Sequence, residues 1–272
     1  MSMKAFGPQF LERIYREKVV LSLSSVLGFI FCWYLITDVL GLIPALFLPS
    51  PEKVFFTIYE KTFIPVGQST LFGHVGVSLL RILVGTTIAL CLAIPLGILM
   101  GWYDDLDSVM TPIIEVLRPI PPIAWIPLAI LWFGIGLGSK VFIIGIGVFF
   151  PTLINTYMGV KFVDPILIKA AQTLGARDKD VLREVILPAS VPLIVAGIRI
   201  GVGLGMMCLV AAELVAASSG LGFLIMLGGD DLKPELSITG MILIGIMGLL
   251  ADTLILAVEK KVVYWKKESQ NG

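Results

Sequence analysis

The sequence is poor in charge and in the side chains that carry most enzymatic chemistry. Only 15% of its 272 residues are charged, and it contains one histidine and three cysteines. A soluble domain is about 25% charged and about 45–50% apolar. This chain is 57% apolar, with a mean hydropathy of +0.97. The composition excludes a soluble core of this size and predicts an all-α integral membrane protein.

Two further classes of function have little support in the composition. Twenty basic and twenty acidic residues balance, so no nucleic-acid partner is expected. Cys32, Cys91 and Cys208 each lie alone in an apolar run, as buried cysteines commonly do. Their isolation indicates neither a disulfide framework nor a metal site.

Motifs for catalysis and for nucleotide binding are missing or incomplete. The single histidine, His74, has no HExxH neighbour, and no G-x-S-x-G elbow occurs. The stretch GIGLGSK at 134–140 fails the phosphate-loop pattern because Ser139 separates the last glycine from the lysine. The stretch GIRIGVGLG at 197–205 fails G-x-G-x-x-G because Met206 holds the third position. We therefore expect no catalytic residue, no metal and no ATP bound by this chain.

Six apolar runs are long enough to cross a bilayer, which requires roughly 20 residues. They are 19–40, 79–101, 112–133, 140–160, 191–216 and 237–258. The first is too long for the core of a cleaved signal, so we expect it to be retained. The third contains RPIPPIAWIP at 118–127, with four prolines in ten residues. Proline removes a backbone donor and clashes one turn back, so this span should be broken or kinked.

The distribution of lysine and arginine predicts the orientation. Thirteen of them lie in the two tails and in the loop after the fourth span, whereas four lie in the opposite loops. The positive-inside rule then makes both termini cytoplasmic. The loop WYDDLDS at 102–108 dissents because it is acidic, although acids have little weight in this rule. The predicted segments are a tail 1–18, a first span with an external segment 19–72, a transmembrane domain 73–258 with a loop 161–188, and a tail 259–272.

The external segment LPSPEKVFFTIYEKT is predicted to contain a helix. Ser50 followed by Pro51 is a helix start, with a capping side chain before proline at the first helical position. Val54, Phe55, Ile58 and Tyr59 then form an apolar stripe at helical spacing. Such a helix would lie on the outer interface or against the spans.

Six ionisable side chains lie within or at the edges of the predicted spans: Arg81, Glu115, Arg118, Arg199, Glu213 and Asp252. Each costs about 2.5–3.5 kcal/mol near mid-bilayer, so such groups usually pair or line a watery path. Glu213 could form a structural ion pair with Arg199 or Arg81, or it could line a path. Arg118, beside the proline-rich break, could likewise line a path or extend to the interface.

The loop KAAQTLGARDKDVLREVILPASVP, residues 169–192, is charged but also patterned. Asp164-Pro165 is a helix start, and Gly175 supplies the positive φ that ends a helix. The first predicted apolar face is Leu167, Ala170, Ala171 and Leu174, and the second is Val181, Leu182, Val185 and Ile186. We expect the second helix to stop at Pro188. A solvated basic loop would explain the charges, but only a docking knob for a cytoplasmic partner explains both apolar faces as well.

This loop resembles the "EAA" loop of permease subunits of ATP-binding-cassette importers. The family pattern is roughly E-A-A-x-x-x-G, about nine residues, and then I-x-L-P. KAAQTLG and ILP match it at the same spacing, with Lys169 in place of the glutamate. The stretches FLPSPEKV, RPIPPIAWIPLAILWFGIG and LVAAELVAASSGLGF resemble the taurine, sulfonate, nitrate and bicarbonate permeases in particular.

The resemblance implies a type I importer permease fold in the bacterial cytoplasmic (inner) membrane, both termini inside. It implies a homodimer on two cytoplasmic ATPases, which use ATP and Mg, and an external periplasmic or lipoprotein solute-binding protein. The residues it implies for ATPase coupling are Asp164, Lys169, Ala170, Ala171, Leu174, Gly175, Ala176, Arg177, Leu187 and Pro188. With the broken third span and the glycine-rich fifth span lining the path, its candidates are Arg118, Pro121, Pro122, Trp125, Arg199 and Glu213.

The expected substrate is a small oxyanion of the sulfonate and taurine or the nitrate and bicarbonate class, although some relatives carry neutral heterocycles. The main alternative is a secondary transporter or channel that works without an ATPase, which would leave the knob without a purpose. An intramembrane enzyme would need nucleophile, base or metal motifs that this sequence lacks. A purely structural scaffold is the third alternative, and ATP-dependent uptake into vesicles would exclude it.

Overall fold

The computed structural model of the protein describes residues 20–21 and 24–262, and this part of the chain folds into helices joined by short turns. This confirms the all-α prediction for the described residues. The helices are α1 Ser24–Val39, α2 Pro51–Phe63, α3 Leu71–Trp102, α4 Asp104–Leu117, a 3-10 turn Pro122–Trp125, α5 Ile126–Phe133, α6 Leu137–Lys161, α7 Pro165–Thr173, α8 Asp178–Ala216, α9 Leu221–Asp230 and α10 Pro234–Val262.

Four of the described helices, α3, α6, α8 and α10, are long and apolar enough to cross a membrane. Helix α4 and the segment Pro122–Phe133 form a fifth candidate span, bent by 83° at the break between them. Pro119, Pro121 and Pro122 have no N–H to donate, so a regular helix cannot continue through this stretch. The bend confirms the predicted break. The first predicted span, 19–40, begins outside the described residues, and its described part is α1.

The prediction that Pro188 stops a helix is wrong. Helix α8 runs without interruption from Asp178 to Ala216, through both Pro188 and Pro192. A π-helical stretch, Val181–Ile186, comes directly before the first proline, and the Leu187 N–H donates to the carbonyl of Leu182 five residues back. The wider turn accommodates the chain ahead of a residue that has no N–H to donate. The second part of the loop, from Asp178, and the fifth predicted span, 191–216, therefore belong to one helix.

Small side chains allow α3, α6 and α8 to pack closely. On α3, Gly85, Ala89, Ala93 and Gly97 recur every four residues and are buried. A Cβ built on Gly97 would lie 2.8 Å from the Thr156 Cβ and 2.9 Å from the Leu153 carbonyl on α6. Helix α8 repeats the spacing with Gly197, Gly201 and Gly205, which face α6 from its other side. Close backbone approach of this kind is the usual basis of helix association in membranes.

A buried polar cluster joins α3 to the end of α8 and the start of α9. Glu213 is fully buried, and its carboxylate accepts hydrogen bonds from Arg81 at 2.7 Å, from the Ser78 hydroxyl at 2.8 Å and from the Gly222 N–H at 2.8 Å. The Arg81 guanidinium also donates to the Ser219 carbonyl at 2.7 Å. Of the two arginines considered as partners for Glu213, the structure selects Arg81.

The turn between α8 and α9 has no room for a side chain at Gly220. Its φ is +120°, and a Cβ there would lie 2.5 Å from the Glu213 carboxylate. The Gly220 N–H donates to Nδ1 of His74 at 3.0 Å, so the imidazole carries its proton on Nε2, which lies 2.9 Å from the Val66 carbonyl. His74 is therefore a buried residue whose two ring nitrogens both bond to the backbone.

Lys140, expected in an external loop, is buried in the first turn of α6. Its exposed fraction is 2%, and its ammonium group donates to the carbonyls of Ala216 and Gly136. Carbonyls in the last turn of a helix have no partner within the helix, and a cation there also complements the helix dipole. Lys140 thus caps the C-terminus of α8.

Helix α2 starts as predicted, because the Ser50 hydroxyl accepts from the Lys53 N–H at 3.3 Å and Pro51 follows. Its packing face differs from the predicted stripe. Val54 and Thr57 are buried, whereas Phe55 and Tyr59 are 73% and 62% exposed. The helix lies against the bundle with its aromatic rings outward, where interfacial aromatic side chains are typical.

Gly97→Ala should destabilise the bundle by about 1–3 kcal/mol, because the added methyl group meets a backbone carbonyl that cannot move aside. The matched control is Gly76→Ala in the same helix, where no atom lies within 4 Å of the added Cβ. Higher helix propensity should leave that variant unchanged or more stable by up to about 1 kcal/mol. Thermal unfolding in detergent measures both, and equal shifts would contradict the packing argument.

Glu213→Gln should destabilise the protein by about 3 kcal/mol, because it leaves the buried Arg81 guanidinium without a counter-charge. The control is Glu60→Gln, which breaks a partly exposed pair with Lys61 and should cost at most about 1 kcal/mol. The comparison uses the same unfolding measurement. A Glu213 variant as stable as the Glu60 variant would show that the buried pair is dispensable for folding.

Candidate functional site

The predicted knob is an ordered extension at one end of the bundle. The name coupling loop is used here for residues 161–188, which run from the last residue of α6, through α7, to the end of the π-helical stretch of α8 and the two residues after it. Val163, Val181 and Ile186 are buried together with Val160 of α6, and Trp102 at the end of α3 packs against them. The loop is therefore anchored on the same three helices that form the close-packed bundle.

Side chain and backbone caps define α7 within the coupling loop. The Asp164 carboxylate accepts from the Ile166 N–H at 2.8 Å, with Pro165 at the first helical position. At the other end Gly175 has φ +88°, its N–H donates to the Gln172 carbonyl, and the Ala176 N–H donates to the Ala171 carbonyl. This pair of bonds is a Schellman motif, which requires the left-handed conformation that glycine adopts most readily.

The four residues of the predicted apolar face of α7 lie in different environments. Ala171 packs on the body together with Ile168, which the predicted stripe omitted. Leu167 and Leu174 point outward and are 49% and 89% exposed, and Ala170 is exposed beside them. Ile168 and Ala171 face the body, so Leu167, Ala170 and Leu174 are exposed on the other side of the helix.

The remaining residues predicted for coupling divide between the surface and the body. Lys169 and Arg177 are exposed on the coupling loop, and the Arg177 N–H and Nε both donate to the Asp180 carboxylate. Ala176 is half-buried against the anchor. Leu187 and Pro188 are half-buried in the interior of α8, so they lie behind the outer face of the coupling loop.

The path candidates of the third span lie at the break between α4 and α5. Arg118 ends α4, and its side chain is exposed. Pro121 precedes the 3-10 turn that Pro122 opens, and Trp125 ends it, half-buried against the side-chain cluster around Ile126. The break therefore presents one cation next to a proline-fixed turn.

Two cavities elsewhere in the described residues have volumes of about 530 and 560 Å³, and the cavity beside Arg118 is smaller, at about 230 Å³. Arg118, Glu115 and Thr111 of α4 line it on one side. Tyr157 and Met158 of α6 line it on the other, together with apolar side chains of the bundle. The cavity separates α4 from α6 near the break.

The other two path candidates, Arg199 and Glu213, form separate ion pairs with different partners. Arg199 of α8 binds Asp252 of α10 through two bonds, Nε to Oδ1 and Nη2 to Oδ2, and the latter is 3.0 Å long. Glu213 is enclosed in the polar cluster with Arg81. The geometry favours the structural interpretation of Glu213, because all its contacts stabilise a turn.

A second charged cluster, which sequence reasoning missed, lies where α6 enters the coupling loop. The Lys161 ammonium group contacts both Asp104 and Asp107, at 3.2 Å from the Asp107 Oδ2. The Tyr157 hydroxyl donates to Asp107 at 2.9 Å, and the Thr111 hydroxyl donates to it at 2.6 Å. The signal in the sequence was the acidic loop 102–108, whose carboxylates neutralise a lysine from another helix.

The described residues contain no group of three or more His, Cys, Asp or Glu side chains that could hold a metal ion. The arrangement combines a capped loop with exposed apolar side chains, an anchor on the close-packed bundle, and a broken span.

Comparison with known proteins agrees with these features. Residues 93–264 match the family described as "Binding-protein-dependent transport system inner membrane component". The taurine transport system permease protein TauC of Escherichia coli is 38% identical over 259 residues, which cover 93% of this chain and 92% of that protein. The nitrate import permease protein NrtB of Synechococcus elongatus is 32% identical over 237 residues, 84% of each chain.

Among solved structures, a chain of the MetNI methionine ABC transporter in an inward-facing conformation has the same fold. The TM-score is 0.58 at 20% sequence identity, and the match covers 68% of this chain and 92% of that one. This likeness confirms the predicted type I importer permease fold and argues against a channel of unrelated architecture. The chain belongs to the family of binding-protein-dependent transport system inner membrane components, and it is an ABC transporter permease.

Proposed function

We propose that this permease forms a homodimer that works with two cytoplasmic ATPases and an external solute-binding protein to import a small anion. The observation that carries the proposal is the outer face of the coupling loop. Phe162, Ile166 and Leu174 are 72%, 72% and 89% exposed there, on a segment that is capped and anchored. An exposed apolar group on an ordered segment is typical of a surface that binds another protein. The ATPase is the partner proposed for it, with ATP and Mg bound by that subunit.

The orientation follows from which features share an end of the bundle. The coupling loop, the last turn of α3 and the cluster around Lys161 lie together at one end. His74 and the first turn of α9 are joined at the other end. The excess of lysine and arginine in the coupling loop and the two tails supports a cytoplasmic location for the first end and for both termini.

Lys169 is proposed to make a contact specific to the ATPase of this transporter. It lies on the exposed side of α7, one residue before Ala170. The related loops have glutamate in its place, so the charge that this loop presents is reversed. A partner surface that accepts lysine would reject glutamate by like-charge contact, which is how charged rims usually give specificity.

The substrate is proposed to be a small oxyanion of the sulfonate and taurine or the nitrate and bicarbonate class. TauC is named for taurine and NrtB for nitrate, and both resemble this chain over most of its length. Arg118 suits such a substrate because a guanidinium can donate two parallel hydrogen bonds to an oxyanion. With Pro121, Pro122 and Trp125 it would line the path near the axis of the dimer.

The helices that leave the coupling loop suggest how ATPase closure would reach this path. Helix α6 ends where the coupling loop begins, and α8 begins inside it, so both helices move with the loop. Closure of the two ATPases would draw the two loops together and rock the bundles from inward-open to outward-open. Substrate delivered by the external protein would then enter beside the broken span.

Leu174→Glu should weaken binding of the cognate ATPase roughly 30-fold, because a central apolar anchor commonly contributes about 2 kcal/mol or more. Binding of purified ATPase to the permease in nanodiscs measures this. The matched control is Leu232→Glu, which changes a 69% exposed leucine in the turn between α9 and α10. Equal ATPase affinity for the two variants would refute docking through this face.

Arg118→Gln should reduce anion uptake about tenfold in proteoliposomes that contain the complete transporter, since a charged hydrogen bond contributes about 1.5–3 kcal/mol. Calorimetry on the associated solute-binding protein identifies which anion to supply. Arg118→Lys keeps the charge and should retain more uptake than the glutamine variant. Unchanged uptake in Arg118→Gln, with normal ATP hydrolysis, would remove Arg118 from the path.

A further inference from the structure

The cluster around Lys161 connects the coupling loop to the broken span. Lys161 is the last residue of α6, and the buried anchor residue Val163 follows two positions later. Asp107, which contacts Lys161, lies in the first turn of α4, and the other end of α4 is Arg118 at the break. One polar contact therefore joins the coupling loop to the helix that carries the proposed path residue.

Asp107 is the central acceptor of this cluster. Its carboxylate receives the hydroxyls of Thr111 and Tyr157 on two different helices and pairs with Lys161. Its side chain is only 17% exposed, whereas that of Asp104 is 90% exposed. The Asp107 contacts are largely shielded from water and salt, so they should hold α4 more firmly than the Asp104 contact does.

Apolar packing supports α4 at Ile114, which is buried against α3 and α6, and at the partly buried Leu106 and Met110. Within α4, all of which the structure describes, Ile114 is the one buried residue. The cavity of 230 Å³ lies between Arg118 and Glu115 on α4 and Tyr157 and Met158 on α6. A void transmits no displacement, because its walls lack the contacts that make a protein interior stiff. Movement of α6 can reach α4 through the charged cluster, through the apolar contacts of Leu106, Met110 and Ile114, and through α3, which ends two residues before α4 begins.

We propose that Asp107, Tyr157 and Lys161 are positioning residues that transmit displacement of the coupling loop to α4, and through α4 to the break at 118–122. This role rests on the proposed function as an ATP-driven importer. Asp107 and Lys161 do not line the cavity beside Arg118, whereas Tyr157 does. The three residues couple movement of the broken span to movement of α6, so that opening of the path accompanies ATP hydrolysis.

The test compares anion uptake with ATP hydrolysis in proteoliposomes that contain the permease, its ATPase and its solute-binding protein. Lys161→Met and Asp107→Asn should leave ATPase binding intact and ATP hydrolysis within about twofold of wild type. Uptake per ATP hydrolysed should fall at least about fivefold, as expected when two coupled sites are separated. Tyr157→Phe, which removes a single hydroxyl and keeps the packing, should produce a smaller loss of the same kind.

Two further variants separate transmission from general destabilisation. Asp104→Asn removes the exposed contact to the same lysine and should change uptake per ATP by less than about twofold. The exchange Asp107→Lys with Lys161→Asp restores an ion pair with reversed charges and should recover part of the ratio that either single change removes. Thermal unfolding in detergent identifies any variant that loses uptake because it does not fold.

Each result of this test has a distinct meaning. If wild-type uptake is ATP-driven but uptake per ATP is unchanged in Lys161→Met, Asp107→Asn and Tyr157→Phe, the transmission role is refuted and the importer function stands. Loss of ATPase binding in these variants would also refute it, because the cluster would then only shape the coupling loop. A wild-type complex without ATP-driven uptake would overturn the proposed function and this role together.

Discussion

Close packing of α6 between α3 and α8 is the constraint on which the other features depend. Lipid offers apolar side chains no less favourable surroundings than another helix does, so association must come from contact and hydrogen bonding. The recurring small residues of α3 and α8 bring both backbones against α6. Helix α6 then carries Lys140, which caps α8, at one end and Lys161, which holds α4, at the other. Both charged regions are therefore placed by one helix.

The molecule divides into a stiff part and a looser part. Helices α3, α6 and α8 pack closely at their glycines, and the buried anchor of the coupling loop extends this unit at one end of the bundle. Helix α4 has one buried residue, lies across a cavity from α6 and leads into a bend of 83°. A transporter needs both parts. The stiff part transmits movement of the coupling loop to the membrane helices, and the looser part allows the path to open and close.

The sequence predicted features that depend on local chemistry, such as the cap at Asp164, the glycine turn at 175 and the break at the prolines. It failed where neighbours decide the outcome. Arg81 and Arg199 were equal candidates for Glu213, because linear spacing cannot show which helices touch. Pro188 was expected to end a helix, but the π-helical stretch before it allows the helix to continue. The predicted apolar face of α7 is divided, since Ala171 packs on the body while Leu167 and Leu174 are exposed. Helix α9 was missed because its ten residues are too short to span.

The two charged regions differ in a way that fits their positions. Removing Arg81 or Glu213 from a fully buried pair leaves an unpaired charge without water, a cost that no transport cycle could sustain repeatedly. Lys161 is 30% exposed and Asp104 is 90% exposed, so water can replace part of their contact at little cost. The exposure of Asp107, 17%, lies between that of Glu213 and that of Lys161. The hydroxyls of Thr111 on α4 and Tyr157 on α6 donate to its carboxylate and would hold it while Lys161 shifts. One end of the bundle is thus closed by a fully buried ion pair, and the end that carries the coupling loop by a partly exposed one that can adjust.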